Sequence, residues 1–287
     1  MNTRNDFESK QKKYIPIFPK AIGKPTVYIE GYPCEDDEPM AATGFHADQI
    51  RIFSDQISRY FAINPHIYIG IDSFIYYREG DIRKFVAPDV YVVFGVDKFP
   101  QRRSFYTWSE GAVPAAVFEF LSDATAHQDR DEKVRLYLTD MGVRDYFIHQ
   151  PEMEKPAEFR GWSRTPSGDI VELVPDAQGG LFSDALNLYF RWADQLDTHV
   201  RLLRPYLPDG TPITTSMEEH QLRVSAETLI EEELERRQAA ETLAAEESER
   251  RQAAERLARQ ETERRQAVEA ELERLQAQLA NPQNESE

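Results

Sequence analysis

The sequence predicts an α/β domain over residues 25–205, followed by a long charged helix over residues 222–280. Two observations carry that prediction. Short apolar, β-rich runs (HIYIGID, SFIYYRE, DVYVVFG, AAVFEFL and DYFIHQP) are interleaved with segments of helical periodicity, and the order helix, strands, helix, strand is that of an α/β layer. Between Leu222 and Asn281 there is no Gly or Pro, and Ala, Glu, Arg, Gln and Leu dominate, which favours one continuous helix.

Residues 1–24 are polar and lysine-rich and are expected to form a flexible segment. From Ala47 to Ile63 the apolar residues Ile50, Phe53, Ile57, Tyr60 and Phe61 fall on one face of a helix. Four strand-like runs follow. A second helix fits Asp129 to Asp140, with Val134, Tyr137 and Leu138 inward and Gly142 just past its end. Pro151 stops the next strand, and AEFRGWSR and DIVELVP supply two more. The stretch RLLRPYLPDGTPITTS, punctuated by Pro205, Pro208, Gly210 and Pro212, reads as the end of the globular part and a linker over 206–221. Residues 281–287, beyond the helix, read as a disordered terminus.

The helical tail repeats. ERRQAA begins at Glu235 and Glu249 and ERRQAV at Glu263, a period of two heptads. One register puts Ile230, Ala244, Ala258, Leu272 and Leu279 at a, with Ala226, Ala240, Ala254, Val268 and Leu275 at d. The same register puts Arg237, Arg251 and Arg265 at a and Glu233, Glu247 and Glu261 at d, so its seam is interrupted. Two readings stay open: a solvated helix laced by i,i+4 ion pairs, and a coiled coil through which the tail self-associates.

The single cysteine, Cys34, leaves no internal disulfide. With no long uncharged apolar run and no signal-like N-terminus, the expected setting is cytoplasmic, without a membrane partner. The net charge of −17 argues against broad adhesion to nucleic acid. From Ser225 onward, however, the tail holds 17 Glu and 9 Arg and no Asp, so nearly half of the excess lies there. The globular part still needs a local basic surface to meet a polyanion.

Two acids stand where acids are costly. Asp89 opens the apolar run DVYVVFG directly after Pro88, and Glu119 lies between Phe118 and Phe120 in AAVFEFL. A carboxylate in such a strand needs a cation, a metal or a raised pKa. On neighbouring strands the two would converge on one Mg²⁺ (or Mn²⁺), a hard cation satisfied by one or two carboxylates, with the Phe120 carbonyl as a further oxygen. Simpler roles compete: Asp89 as a turn residue, and Glu119 as the partner of a buried arginine. No Gly-rich phosphate loop and no H-E-x-x-H spacing is present. Trp108, Trp162 and Trp192 read as packing anchors, and Arg83, Lys84, Arg102 and Arg103 as either phosphate contacts or solvated charges.

The segments APDVYVV, VFEFLSDAT, DRDEKVRLYLTDMGVRDYFIHQP and GGLFSDALNLYF resemble, in order and spacing, the Uma-type restriction endonuclease family. That family is similar in fold to the PD-(D/E)XK nucleases, so the resemblance implies a restriction-endonuclease-like core, a mixed sheet flanked by helices, over roughly residues 25–205. It places the metal-binding acids on Asp89 and Glu119. The lysine of the usual motif would fall on position 121, which is Leu121, and the resemblance carries the amine onto Lys133 of the following helix instead. Lys133 also lies four residues after Asp129, where a plain helix-surface ion pair would put it. The segment Tyr146-Phe147-Ile148-His149-Gln150-Pro151 departs from the family pattern by lacking an aspartate before the proline. His46 and Gln49 of the first helix acquire no role from the sequence.

The function these readings imply is a Mg²⁺-dependent endonuclease acting on DNA as a homodimer. The alternative is a catalytically inactive nuclease fold, kept as a binding or assembly module that uses its helical tail for partners. A phosphodiesterase for RNA or a small nucleotide would share the same site chemistry.

Overall fold

The computed structural model describes residues 23–35, 43–123 and 125–280, the last three by backbone alone. The expected N-terminal segment up to residue 22, the terminus 281–287 and the Leu279 side chain lie outside the described residues. Two compact units divide the chain at Glu219/His220.

In the first unit, α1 (Gly44–Tyr60) precedes β1 (Ile67–Ile71), β2 (Ile75–Tyr76), β3 (Phe85–Val86), β4 (Val90–Phe94) and β5 (Phe105–Tyr106). A short α2 (Thr107–Glu110) leads to β6 (Ala116–Phe120). The crossover is helical in three pieces, α3 (Ala126–Arg130), α4 (Glu132–Arg135) and a π-helical turn (Leu136–Met141). Then come β7 (Asp145–His149), β8 (Phe159–Arg164), β9 (Ile170–Glu172), β10 (Leu181–Ser183), β11 (Leu188–Gln195) and β12 (Val200–Tyr206). The long helix α5 (Ser216–Ala280) starts in this unit and makes up most of the second.

The main sheet has the order β1-β4-β6-β7-β8-β9. All neighbours are antiparallel except β6 and β7, which the helical crossover joins in parallel. This is a mixed sheet flanked by helices, within the α/β class that the order of elements predicts. Side chains alternate between its faces. Val90 and Val92 of β4, with Phe118 and Phe120 of β6, pack with Phe53 of α1 and with Phe190 and Leu203 of the small β10-β11-β12 sheet. Tyr91, Val93, Val117 and Ile148 face the opposite way and pack on Tyr137 and Leu138 of the crossover. Gly70 is required by this packing: the Tyr91 ring lies against it, and a Cβ there would come within 1.9 Å of the ring.

Three local differences from the sequence reading have physical causes. The helix expected over Asp129–Asp140 is broken into short pieces and ends in a π turn, with Gly142 at φ +80° closing it. Tyr206, where the linker was expected to begin, is the last residue of β12, and Pro205 is tolerated before it because β12 is the edge strand of its sheet, where no N–H is missed by the ladder. The helix α5 starts at Ser216 because Thr215 and Glu218 form a reciprocal cap: the Thr215 hydroxyl accepts from the Glu218 N–H at 3.1 Å, and the Glu218 carboxylate accepts from the Thr215 N–H at 2.8 Å. Leu207 and Ile213, between strand and helix, are fully buried.

Among the described residues no helix is long and apolar enough to cross a membrane.

Candidate active site

The acids meet where β4 and β6 part. The ladder between these strands pairs Val90 with Phe118 and stops there. One residue further, Asp89 and Glu119 face each other, and their carboxylates take over bonds the backbone would otherwise make. The Phe120 N–H donates to Asp89 Oδ2 at 2.6 Å, and the Asp89 N–H donates to Glu119 Oε2 at 3.3 Å. By strand alternation both side chains belong to the face that carries Tyr91 and Val117, the face covered by the helical crossover.

From that crossover Lys133 reaches the same place. Its Nζ donates to Glu119 Oε1 at 2.9 Å and lies 2.7 Å from Asp129 Oδ1. Lys133 is therefore the i+4 partner of Asp129, as the ion-pair reading expects, and it lies against Glu119 as well. Tyr137, fully buried, donates its hydroxyl to Glu119 Oε1 at 2.8 Å. Thr125 donates to Asp129 Oδ2 at 2.8 Å and fixes that carboxylate from the other side. Leu121, in the position of the usual motif lysine, is fully buried in the same cluster as Tyr137.

The sequence missed one member of the group. His46, in the first turn of α1, is buried, and its Nε2 lies 3.1 Å from Asp89 Oδ2. Thr43 caps that helix and accepts from the His46 N–H, which fixes the turn. A signal was present: His46 stands four residues before Ile50, on the same helical face as Phe53 and Ile57. Gln49, by contrast, is a structural clamp whose amide exchanges two hydrogen bonds with the Leu203 backbone.

Electrostatics follow from burial. Desolvation raises Glu119 well above the usual carboxylate range, Lys133 opposes this, and the Asp89 and Asp129 charges add to it. Burial alone would lower Lys133, yet Glu119 and Asp129 together hold it above its ordinary value. For His46, burial lowers the pKa, but the Asp89 bond and charge outweigh it and the net direction is up. The group is thus three carboxylates sharing one ammonium and one imidazole in a site almost closed to water.

The oxygen donors suit a hard cation. Asp89 Oδ1 accepts no hydrogen bond among the described residues, and Asp89 stands in register with Glu119 across the opening of the strands. No group of three or more His, Cys, Asp or Glu side chains among the described residues is disposed to hold a metal. A cation bound here would rest on two carboxylates and backbone or substrate oxygens, which is a Mg²⁺ pattern rather than a zinc one.

Other sequence candidates fall elsewhere. Arg102 is not available to phosphate: it is buried in a two-pronged ion pair with Glu110, at 2.6 and 3.0 Å, against the Tyr68 ring. Arg83 is exposed and bonded to Asp81, and Arg103 lies over the Tyr28 ring. Trp162 is buried and stacks on Tyr146. His149, at the departure from the family pattern, is buried and bonds the Arg201 carbonyl through Nε2 at 2.7 Å.

No family model matches the chain, and no curated protein does. Among solved structures, that of a candidate nuclease of the DUF820 group from Anabaena variabilis is similar over 52% of this chain and 79% of its own, with 16% identity and a TM-score of 0.35.

Proposed function

We propose that the first unit is a Mg²⁺- or Mn²⁺-dependent endonuclease that hydrolyses phosphodiester bonds of DNA. The observation that carries this is the pairing of Asp89 with Glu119 at the mouth between two strands, with the Lys133 ammonium on the same carboxylate. Asp89, Glu119 and the Phe120 carbonyl would hold the cation, which supplies Lewis-acid activation of water at neutral pH. Lys133 places a positive charge where negative charge develops on the phosphate. Asp129 holds the lysine in reach, Tyr137 fixes the Glu119 rotamer, and His46 orients Asp89. A homodimer would offer one such site to each strand of a duplex.

The second reading is a binding or assembly module, and one observation favours it. Both Glu119 oxygens and Asp89 Oδ2 already accept hydrogen bonds from protein donors, so three of the pair's four oxygens are taken. The test is cleavage of supercoiled plasmid, single-stranded DNA and RNA with Mg²⁺ or Mn²⁺, alongside Asp89→Ala, Glu119→Gln and Lys133→Met. Nicking by the wild type that all three variants lose supports the nuclease. Equal cleavage by wild type and variants removes it, and titration calorimetry that finds no Mn²⁺ site dependent on Asp89 favours the module.

A further inference from the structure

The long helix α5 carries a pattern that its own fold does not use. Its apolar side chains are exposed: Leu229, Leu243, Leu257 and Val268 are each more than half accessible. A second heptad register collects these residues on one seam, alternating with Ala and with charge: Leu243, Glu247, Arg250, Ala254, then Leu257, Glu261, Arg264, Val268. Reversed in direction, the unit Leu-Glu-Arg-Ala becomes Ala-Arg-Glu-Leu, its own complement in charge and in size.

Each repeat has two adjacent arginines, and the helix treats them differently. The second of each pair, Arg237, Arg251 and Arg265, lies by a glutamate four residues away on the same helix. The first of each pair, Arg236, Arg250 and Arg264, makes no ion pair among the described residues, nor do Glu233 and Glu247. Of the six seam charges, Glu261 alone is paired within the helix, to Arg265.

From this pattern we infer that α5 forms an antiparallel two-stranded coiled coil with α5 of a second copy of this chain, about a two-fold axis passing between Ser248 and Glu249 at the middle of the repeat. A two-fold contact is reciprocal, so every pairing occurs twice. In this arrangement Glu247 faces Arg250 of the second copy, Glu233 faces Arg264, and Arg236 faces Glu261. Leu243 packs on Ala254 and Leu229 on Val268, each large side chain against a smaller one. Only Ala226 against Glu271, near the outer end, is unmatched. The parallel, in-register alternative puts Glu247 on Glu247 and Arg250 on Arg250, like charges at the centre of the seam. This inference concerns the tail alone and does not depend on the nuclease reading.

The test uses the full chain. Sedimentation equilibrium of the wild type is expected to show a dimer. The triple variant Glu233→Arg, Glu247→Arg, Glu261→Arg is expected to self-associate at least about tenfold more weakly, as is Arg236→Glu, Arg250→Glu, Arg264→Glu, while an equimolar mixture of the two dimerises again. Circular dichroism checks that each variant keeps its helix. Orientation is read by oxidation on a Cys34→Ser background: Leu222→Cys with Leu275→Cys in one chain is expected to give covalent dimers, and either substitution alone is not. A wild type that stays monomeric at about 100 μM, where even weak pairing above the micromolar range is populated, overturns the proposal. Covalent dimers from Leu222→Cys alone overturn it equally, because they require a parallel pair.

Discussion

Replacing Lys133 by Met should destabilise the first unit far more than replacing Glu119 by Gln. Lys133 is the shared cation of Glu119 and Asp129, and Asp89 lies against Glu119 through its backbone. Removing the ammonium leaves buried carboxylates without their counter-charge, a change that costs about 3–5 kcal/mol. Glu119→Gln removes instead the carboxylate whose burial is most unfavourable, keeps an oxygen for Tyr137, and leaves Lys133 on Asp129. Its expected effect is within about 1 kcal/mol of zero. Urea unfolding at pH 7, followed by the fluorescence of Trp108, Trp162 and Trp192, reports this unit because all three lie in it. If the acids also bind a cation, Mn²⁺ at about 100 times its Kd should return roughly 2.7 kcal/mol to Lys133→Met. A Lys133→Met protein as stable as Glu119→Gln would refute the shared-cation account.

Three further outcomes are expected. Burial lowers His149 to about 4, so the unfolded chain binds its proton first as pH falls below about 6.5; up to about 3 kcal/mol is lost between pH 6.5 and 4, and His149→Gln should flatten that slope in pH-dependent urea melts. Arg102→Met or Glu110→Leu alone should each cost about 3–5 kcal/mol, while the double change Arg102→Met with Glu110→Leu should recover most of it, as read by a double-mutant cycle of melts. Because Glu119 is held protonated to higher pH than an ordinary carboxylate, Mn²⁺ affinity should rise from pH 6 to pH 8 with proton release; calorimetry in buffers of different ionisation enthalpy that finds neither would remove Glu119 as a ligand.

The strands of the main sheet were legible because their apolar runs are short, β-rich and bounded by Pro, Gly or charge. The acid pair was legible for the same reason: a carboxylate inside such a run is conspicuous. The small β10-β11-β12 sheet was harder to read, since Pro205 and the flanking turn residues imitate a linker while β12 is the edge strand of its sheet. The start of α5 was carried by a capping pair, Thr215 with Glu218, hidden within that same stretch. Arg102 and Arg103 are adjacent in sequence yet differ in fate, because the partner that buries Arg102, Glu110, is eight residues on and comes into reach only through the turn into α2. His46 joined the site through a contact 43 residues away in the chain, a distance at which periodicity gives a face but no neighbour.

The packing around position 121 favours an apolar residue. Leu121 follows the last residue of β6, and it is fully buried with Tyr137, Leu138 and Tyr146. An ammonium at that position would be desolvated among aromatic and apolar side chains. Lys133 starts from the crossover and approaches Glu119 from the rim, where its side chain keeps 18% of its exposure. It can therefore carry its charge to the acids while Asp129 neutralises it from behind. With the ammonium supplied from the crossover, an apolar residue completes the core at position 121. The corollary is testable: exchanging the two positions, Leu121→Lys with Lys133→Leu, should lower stability by several kcal/mol, on the order of a buried unpaired charge plus a lost core leucine. A double variant that melts like the wild type would mean that the rim approach of Lys133 has no energetic basis.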